Sequence, residues 1–173
     1  SRGLGDVYKR QGLICVFYET IRMHPPVPLF LRRTIRECDF GGVKVPPDTM
    51  VCIPSTYVHR LPDWWRNPEE FDPSRFSDDV AEHRKHNFMW VPFGGGAHKC
   101  IGMHFARMLF LLTFREVLGS YQIEFAEDDY VPAKLQHFPF TRPLDSLPVR
   151  LVQRTRTKMD LRRPAPIEAP LVS

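Results

Sequence analysis

Residues 92 to 102 read Pro92-Phe93-Gly94-Gly95-Gly96-Ala97-His98-Lys99-Cys100-Ile101-Gly102, a glycine-rich loop that delivers one thiol to the start of an apolar segment. Consecutive glycines adopt backbone angles that other residues avoid, and they let the main chain approach a large flat group closely. A thiolate, the metal-binding form of cysteine, is stabilised by nearby cations and by a helix N-terminus. Two basic residues precede the thiol, and residues 101–118 are predicted to form the following helix. The stretch therefore indicates a thiolate ligand presented on a loop.

The separation of Cys100 from the other cysteines favours haem iron over zinc as the metal. A solitary thiolate pushes electron density onto haem iron and favours O–O cleavage. Two alternatives stay open from the residues alone. A cysteine is more often a small buried hydrophobe than a ligand. A zinc site could use His98, Cys100 and His104, of which the last two would share a helix face, although no cysteine pair lies at zinc-finger spacing.

Composition is ordinary for a soluble globular protein and argues against several functions. The 173 residues suffice for one domain with a sizeable core, since 43% are hydrophobic and 25% charged. The net charge of +4 argues against a nucleic-acid partner. The four cysteines form no C-x-x-C pair, which predicts free thiols in a reducing compartment. No apolar run reaches the ~18 residues that a membrane segment needs.

Periodicity and helix-breaking residues divide the chain into short elements. Residues 13–23 are predicted to form a helix that ends before Pro25 and Pro26, because a residue preceding proline avoids helical backbone angles. Strands are predicted over residues 30–35, 49–54, 121–125 and 147–152, and the last is hypothesised to pair with residues 136–140. Residues 57–76 lack a sustained period, and such long irregular segments are usually functional or fixed by specific contacts.

The cysteine loop resembles the haem-binding loop of the cytochrome P-450 family. The family pattern F-x-x-G-x-H-x-C-x-G is filled by Phe93, Gly96, His98, Cys100 and Gly102. A chance match is improbable because the pattern fixes five residue types within ten positions. The resemblance implies a mainly α fold with small β-sheets, of which this chain would be the C-terminal part.

Two further motifs resemble the same family and occur in its order. Glu19-Thr20-Ile21-Arg22 matches a Glu-x-x-Arg pair on a helix upstream of the loop. Residues 71–76 match an aromatic segment whose arginine, here Arg75, joins that pair. Taken alone, Glu19 and Arg22 are typical of a solvated helix salt bridge worth about a few tenths of a kcal/mol. The resemblance instead implies a structural triad in which one carboxylate, shared by two guanidinium groups, holds the segment under the haem pocket.

The resemblance also implies a cofactor, haem b, and the residues that hold it. Cys100 is expected to be the axial ligand of the iron. The other expected cofactor contacts are Phe93, Gly94, Gly96, His98, Ile101, Gly102 and Arg32. His98 and Arg32 match the basic residues that bind the haem propionates in the family. Arg33 is the less favoured alternative because it points to the other face of the predicted strand.

The family resemblance implies a monooxygenase that uses O2 and hydroxylates a lipophilic, sterol-like substrate. The regions matching the family's substrate pocket contain Val27, Leu29, Phe30, Phe140 and Thr141. They are largely apolar, which suits a lipophilic ligand, although such stretches are also typical of ordinary core. Two alternative functions are a peroxide-using haem-thiolate enzyme and a haem-binding fragment without catalysis.

A redox partner, either a ferredoxin or a flavoprotein reductase, is expected at a basic face around Lys99 and Arg107. The alternative there is an ordinary solvated surface. The family's central helix, with its acid–alcohol pair for dioxygen protonation, has no counterpart in the sequence. No catalytic residue is therefore assigned.

The expected organisation has three parts. Residues 1–11 are expected to be non-native or disordered, residues 12–153 to form the C-terminal part of a haem-thiolate monooxygenase domain, and residues 154–173 to be a disordered tail. A bacterial source would predict a cytoplasmic protein, and an upstream membrane anchor stays open. His59, His83, His86 and His137 have no recognisable partner pattern and are interpreted as surface or loop histidines.

Overall fold

The chain folds into two long helices and several two-stranded sheets. The computed structural model describes residues 4–126, 134–144 and 148–154. The helices are α1 (Leu4–Met23), α2 (Ser55–Val58) and α3 (Met103–Ser120), with 3-10 turns at Pro73–Phe76, Glu82–Arg84 and Gly96–His98. The strands are β1 (Leu29–Arg33), β2 (Cys38–Phe40), β3 (Val43–Val45), β4 (Met50–Pro54), β5 (Tyr121–Phe125), β6 (Leu135–Gln136), β7 (Arg142–Pro143) and β8 (Val149–Gln153).

The described strands form antiparallel pairs. β1 pairs with β4, so that Phe30 lies opposite Ile53, and β2 pairs with β3 across a tight turn. Gly41 and Gly42 supply the positive φ values of 61° and 87° that this turn needs. β5 pairs with β8, and β6 pairs with β7.

The predicted pairing of the C-terminal strand is wrong. β8 pairs with β5, which directly follows α3, and not with residues 136–140. Residues 137–141 connect β6 to β7. The predicted strands 30–35 and 49–54 are confirmed with shifted ends and pair with each other. Most of the predicted tail, residues 155–173, lies outside the described residues.

The first helix is longer than predicted. It begins at Leu4 and not at residue 13, so residues 4–11 are helical here. Gly12 interrupts the apolar pattern there, but a glycine inside a helix costs only about 1 kcal/mol relative to alanine. The division of the sequence into three parts otherwise stays a prediction.

The core lies where α1 meets the irregular segment between α2 and α3. Its buried members are Cys15, Trp65, Phe76 and Met89, with Tyr18, Trp64 and Trp90 packed against them. α3 joins α1 through stacked Phe17 and Phe110, whose ring centroids are 4.6 Å apart. The loop before α3 therefore lies beside this aromatic core. No helix in the described ranges combines the length and the hydropathy that crossing a membrane requires.

Candidate functional site

The cysteine loop is fixed by its own backbone hydrogen bonds. The N–H of Cys100 donates to the carbonyl of Phe93 at 2.8 Å, and the N–H of Gly94 donates to the carbonyl of Val91 at 3.0 Å. Gly94 and Gly96 have φ values of 73° and 65°, in the left-handed region that side-chain-bearing residues avoid. The glycines are thus required for the bend that carries the thiol to the start of α3.

The thiol of Cys100 lies at the surface, and exposed apolar residues follow it in the sequence. Cys100 is exposed, Ile101 is fully exposed and Phe105 is 62% exposed. A Cβ at position 102 would lie 3.6 Å from the Sγ of Cys100, so Gly102 keeps the space beside the sulfur open. An accessible sulfur with apolar neighbours and an open flank fits a large, flat, apolar metal complex such as haem.

The geometry disfavours both alternatives for this cysteine. An exposed thiol is not a small buried hydrophobe. Cys100 lies outside α3, so it does not share a helix face with His104, as the zinc alternative required. Over the described parts of the chain, no group of three or more His, Cys, Asp or Glu side chains is arranged to hold a metal ion.

β1 borders the cysteine loop and carries the two candidate propionate-binding arginines. A Cβ on Gly94 would lie 3.8 Å from the Phe30 ring of β1. Arg33 pairs with Asp48 at 2.7 Å, whereas Arg32 donates to the carbonyl of Leu31 next to it. Of these two arginines, Arg32 is therefore the one that no carboxylate neutralises among the described contacts. His98 is exposed at the end of the 3-10 turn in the loop.

The structure brings the two predicted pocket segments together. The N–H of Thr141 donates to the carbonyl of Pro26 at 2.9 Å. Leu29 and Phe140 are exposed, while Val27, Phe30 and Thr141 are half-buried. Their contact with substrate stays a prediction.

A buried ion cluster brings together Glu19, Arg22 and Arg75. The exposed fractions of these residues are 0%, 0% and 1%. Arg22 binds Glu19 through two N–H groups, with its Nε 2.6 Å from Oε2 and its Nη2 2.9 Å from Oε1. The Nε of Arg75 donates to the same Oε1 at 3.3 Å. Glu19 and Arg22 are three residues apart on α1, so their side chains are neighbours on the helix surface. The bidentate geometry makes their contact directional.

The two guanidinium groups fix the irregular segment through its carbonyls. Arg22 donates to the carbonyls of Pro68 and Glu70, at 2.8 and 3.2 Å. Arg75 donates to the carbonyls of Arg66, Asn67 and Glu70. Backbone groups that neither helix nor sheet satisfies are thus paired inside the protein. Of the two explanations that the sequence offers for this segment, function or specific contacts, the structure shows the contacts.

Sequence reasoning missed a second buried carboxylate, Glu82. It is 2% exposed, and its Oε2 lies 3.3 Å from the Nη1 of Arg75. Its Oε1 accepts the backbone N–H of Arg66 at 2.7 Å. Glu82 and Glu19 together balance the two buried guanidinium charges. Glu82 and Arg75 lie in separate 3-10 turns and not on one helix, so helical spacing carries no signal for their contact.

The interpretation of His59 as a surface histidine is wrong, although the residue does lie in the turn that follows α2. His59 is fully buried, and both of its ring nitrogens have backbone partners. Burial lowers the pKa of His59 to about 4, because the charged ring would lose its solvation. His83 is half-buried beside the ring of Phe76, and burial lowers its pKa as well.

A cavity of about 690 Å³ lies between α1 and α3, near the predicted basic face. Its charged and histidine lining residues are Asp78, His83, Arg84, His104 and Arg107. The guanidinium of Arg107 lies 5.9 Å from the centre of the Tyr18 ring, and Lys99 is exposed on the cysteine loop. The structure therefore places basic groups on both the loop and the first turns of α3.

The decisive comparison is with protein-family models. The model described as cytochrome P-450 matches residues 9–148, well over half of the chain. This chain belongs to the cytochrome P-450 family. Haem b is the cofactor of that family, and the match covers the loop and both other motifs.

Individual relatives agree with this assignment. Cytochrome P-450 136 of Mycobacterium tuberculosis is 35% identical over 144 residues, which cover 83% of this chain and 29% of that protein. Thromboxane-A synthase of Mus musculus is 32% identical over 139 residues, covering 80% of this chain and 26% of that protein. The chain thus spans less than a third of the length of these relatives.

A solved structure shows the same fold. The retinoic-acid-bound cyanobacterial CYP120A1 superposes with a TM-score of 0.77 at 30% identity, covering 89% of this chain and 35% of that one. The helices, small sheets and cysteine loop described above therefore form part of a cytochrome P-450 fold.

Proposed function

We propose that the chain is the C-terminal part of a haem-thiolate monooxygenase, with Cys100 as the axial ligand of haem b. The single observation that carries the proposal is the accessible thiol of Cys100 at the start of α3. It lies on a loop whose bend requires glycines at positions 94 and 96. The exposed apolar side chains of α3 support a larger parent domain, because contiguous apolar surface usually marks an interface.

Each residue of the site would have a separate task. Bound haem supplies the reductive activation of O2 that no amino-acid side chain can perform. Cys100 would hold negative charge at the sulfur, close to the N-terminus of α3, where the helix dipole favours an anion. Arg32 and His98 would bind the propionates, and Phe93, Gly94, Gly96, Ile101 and Gly102 would shape the surface around the sulfur.

The proposed substrate is lipophilic and sterol-like. Leu29 and Phe140 are exposed apolar side chains, and Phe30 is half-buried. The solved relative binds retinoic acid, which is a lipophilic carboxylic acid. The apolar wall supports the lipophilic class more directly than it supports a sterol skeleton.

The test uses the full-length protein, completed upstream from its own coding sequence. We expect its ferrous carbon monoxide complex to show the long-wavelength Soret band of a thiolate ligand. We expect Cys100→Ser to lose that band, because a hydroxyl does not replace the thiolate. Cys52→Ser, which changes another exposed cysteine on β4, is the matched control. An unchanged spectrum for Cys100→Ser would overturn the proposal.

The same preparation separates the alternative functions. Product formation that requires a reductase and O2 supports the monooxygenase, whereas turnover with peroxide alone supports the peroxide-using enzyme. The non-catalytic alternative predicts haem binding without turnover in either assay. Hemin titration of the 173-residue chain itself tests whether this part alone holds the cofactor.

A ferredoxin or a flavoprotein reductase is the proposed redox partner, bound at the basic face around Lys99 and Arg107. Lys99→Glu is expected to slow association with an acidic partner by about tenfold at low salt, because steering by exposed charge is an ionic-strength-dependent rate effect. Stopped-flow reduction at several salt concentrations measures this rate. Lys44→Glu, the same change on β3, is the control and should leave the rate near its original value. Equal rates for both variants would exclude this face.

A further inference from the structure

His59 connects α1 to the start of the cysteine loop through both of its ring nitrogens. The backbone N–H of Val91 donates to Nε2 at 2.9 Å, and Nδ1 lies 3.0 Å from the carbonyl oxygen of Arg22. An amide N–H can only donate and a carbonyl can only accept. The ring must therefore be neutral, with its proton on Nδ1.

The link to α1 is reciprocal. The Nη1 of Arg22 donates to the carbonyl of His59 at 2.7 Å, while the His59 ring donates to the carbonyl of Arg22. Both side chains are fully buried. His59 is consequently held by a residue of the ion cluster, whose own position is fixed by Glu19.

The link to the loop runs through Val91. Its carbonyl accepts the N–H of Gly94, and the carbonyl of Phe93 accepts the N–H of Cys100. A shift of Val91 would therefore move Gly94, at the start of the glycine turn that presents the sulfur. A leucine could fill the same buried volume, but it could bind neither the N–H of Val91 nor the carbonyl of Arg22. Packing alone therefore does not account for a histidine here.

We propose that His59 is a positioning residue for the cysteine ligand, which transfers the fixed position of the buried ion cluster to the loop through Val91. The inference rests on the proposed function, because the position of the loop matters for metal binding only if Cys100 is the ligand. The bond to Val91 carries the role, and the bond to Arg22 anchors the ring.

The two ring nitrogens can be separated by substitution. In His59→Asn the side-chain amide can keep the donor near the Nδ1 position, whereas in His59→Gln the amide oxygen can reach the Nε2 position and accept from Val91. His59→Leu keeps the volume and neither bond. His86→Leu is the control, because His86 is an exposed histidine of the same irregular region.

The experiment uses the full-length haem protein. At equal haem content, the measured quantity is the fraction of the ferrous carbon monoxide complex with the thiolate-type Soret band. We expect His59→Gln to retain most of this fraction and His59→Asn and His59→Leu to lose most of it. Equal fractions for Gln and Asn, or a wild-type fraction for Leu, would overturn the proposal. If Leu does not fold, the comparison of Gln with Asn decides.

A second readout does not depend on haem ligation. Amide hydrogen exchange at Val91 in the haem-free protein should be about tenfold faster in His59→Asn than in His59→Gln, as expected for loss of one buried hydrogen bond. Equal exchange would contradict the proposed bond. If the wild-type protein lacks the thiolate band but shows this exchange difference, the proposed function fails while the positioning contact stands.

Discussion

Replacing Glu19 with alanine is expected to cost about 3–5 kcal/mol of folding free energy, as for other buried ion pairs that lose one partner. The variant would leave Arg22 and Arg75 buried without their shared carboxylate. It would also leave the backbone N–H of Asp72, which donates to Glu19 at 2.8 Å, without its acceptor. Since this cluster fixes the segment beside the cysteine loop, we expect haem incorporation to be lost as well.

Urea unfolding and the haem-to-protein ratio of the full-length protein measure these two effects. Glu69→Ala is the matched control, because Glu69 pairs with Arg60 at 3.2 Å with 73% of its side chain exposed. An exposed pair of this kind is worth about 1 kcal/mol or less. Glu19→Gln should lie between the two, since its amide oxygen can accept one of the hydrogen bonds. A Glu19→Ala protein as stable as the control variant, with normal haem content, would remove the cluster from the site.

The parts of this site that could be predicted from sequence are those with local spacing. Glu19 and Arg22 are three residues apart on a helix, so their proximity follows from the helical period. The cysteine loop lies within eleven consecutive residues, and its glycines signal the bend before α3. Only the family resemblance connects Arg75 to this pair, because 56 residues separate it from Glu19.

The residues that were missed make contacts without a spacing rule. His59 binds backbone atoms 37 residues earlier and 32 residues later. Backbone partners exist at every position, so no residue type marks them in advance. Glu82 likewise binds the backbone N–H of Arg66 and is buried only because the irregular segment folds over it.

Strand pairing was predicted less well than strand location. The pattern located β5 and β8, but their register depends on the hairpin between β6 and β7 that separates them in sequence. Alternating residues show which side of a strand is apolar and do not identify its neighbour. The start of α1 was missed for a related reason: its first part lacks the apolar period on which the prediction relied.

The neutral state of His59 predicts a specific acid sensitivity. Its pKa falls from the ordinary 6.5 to about 4 in the folded protein, chiefly because of burial, and the positive charges of Arg22 and Arg60 also lower it. The unfolded chain therefore binds this proton at a higher pH than the folded chain does. The stabilisation is complete above the unfolded pKa and is lost progressively as the pH falls from about 6.5 to about 4. The difference corresponds to about 3 kcal/mol over this interval, at ~1.4 kcal/mol per pKa unit.

Comparison with His59→Gln isolates this contribution, because glutamine does not titrate while the other acid-sensitive groups of the cluster remain in both proteins. At pH 7 the wild-type protein should be the more stable one. The difference in unfolding free energy should shrink as the pH is lowered, and below pH ~5 it should disappear or reverse. Urea titrations at several pH values give both curves. Parallel curves would mean that His59 takes up its proton equally in the folded and unfolded chains. That result would contradict the hydrogen bond from the N–H of Val91, because a protonated ring cannot accept it.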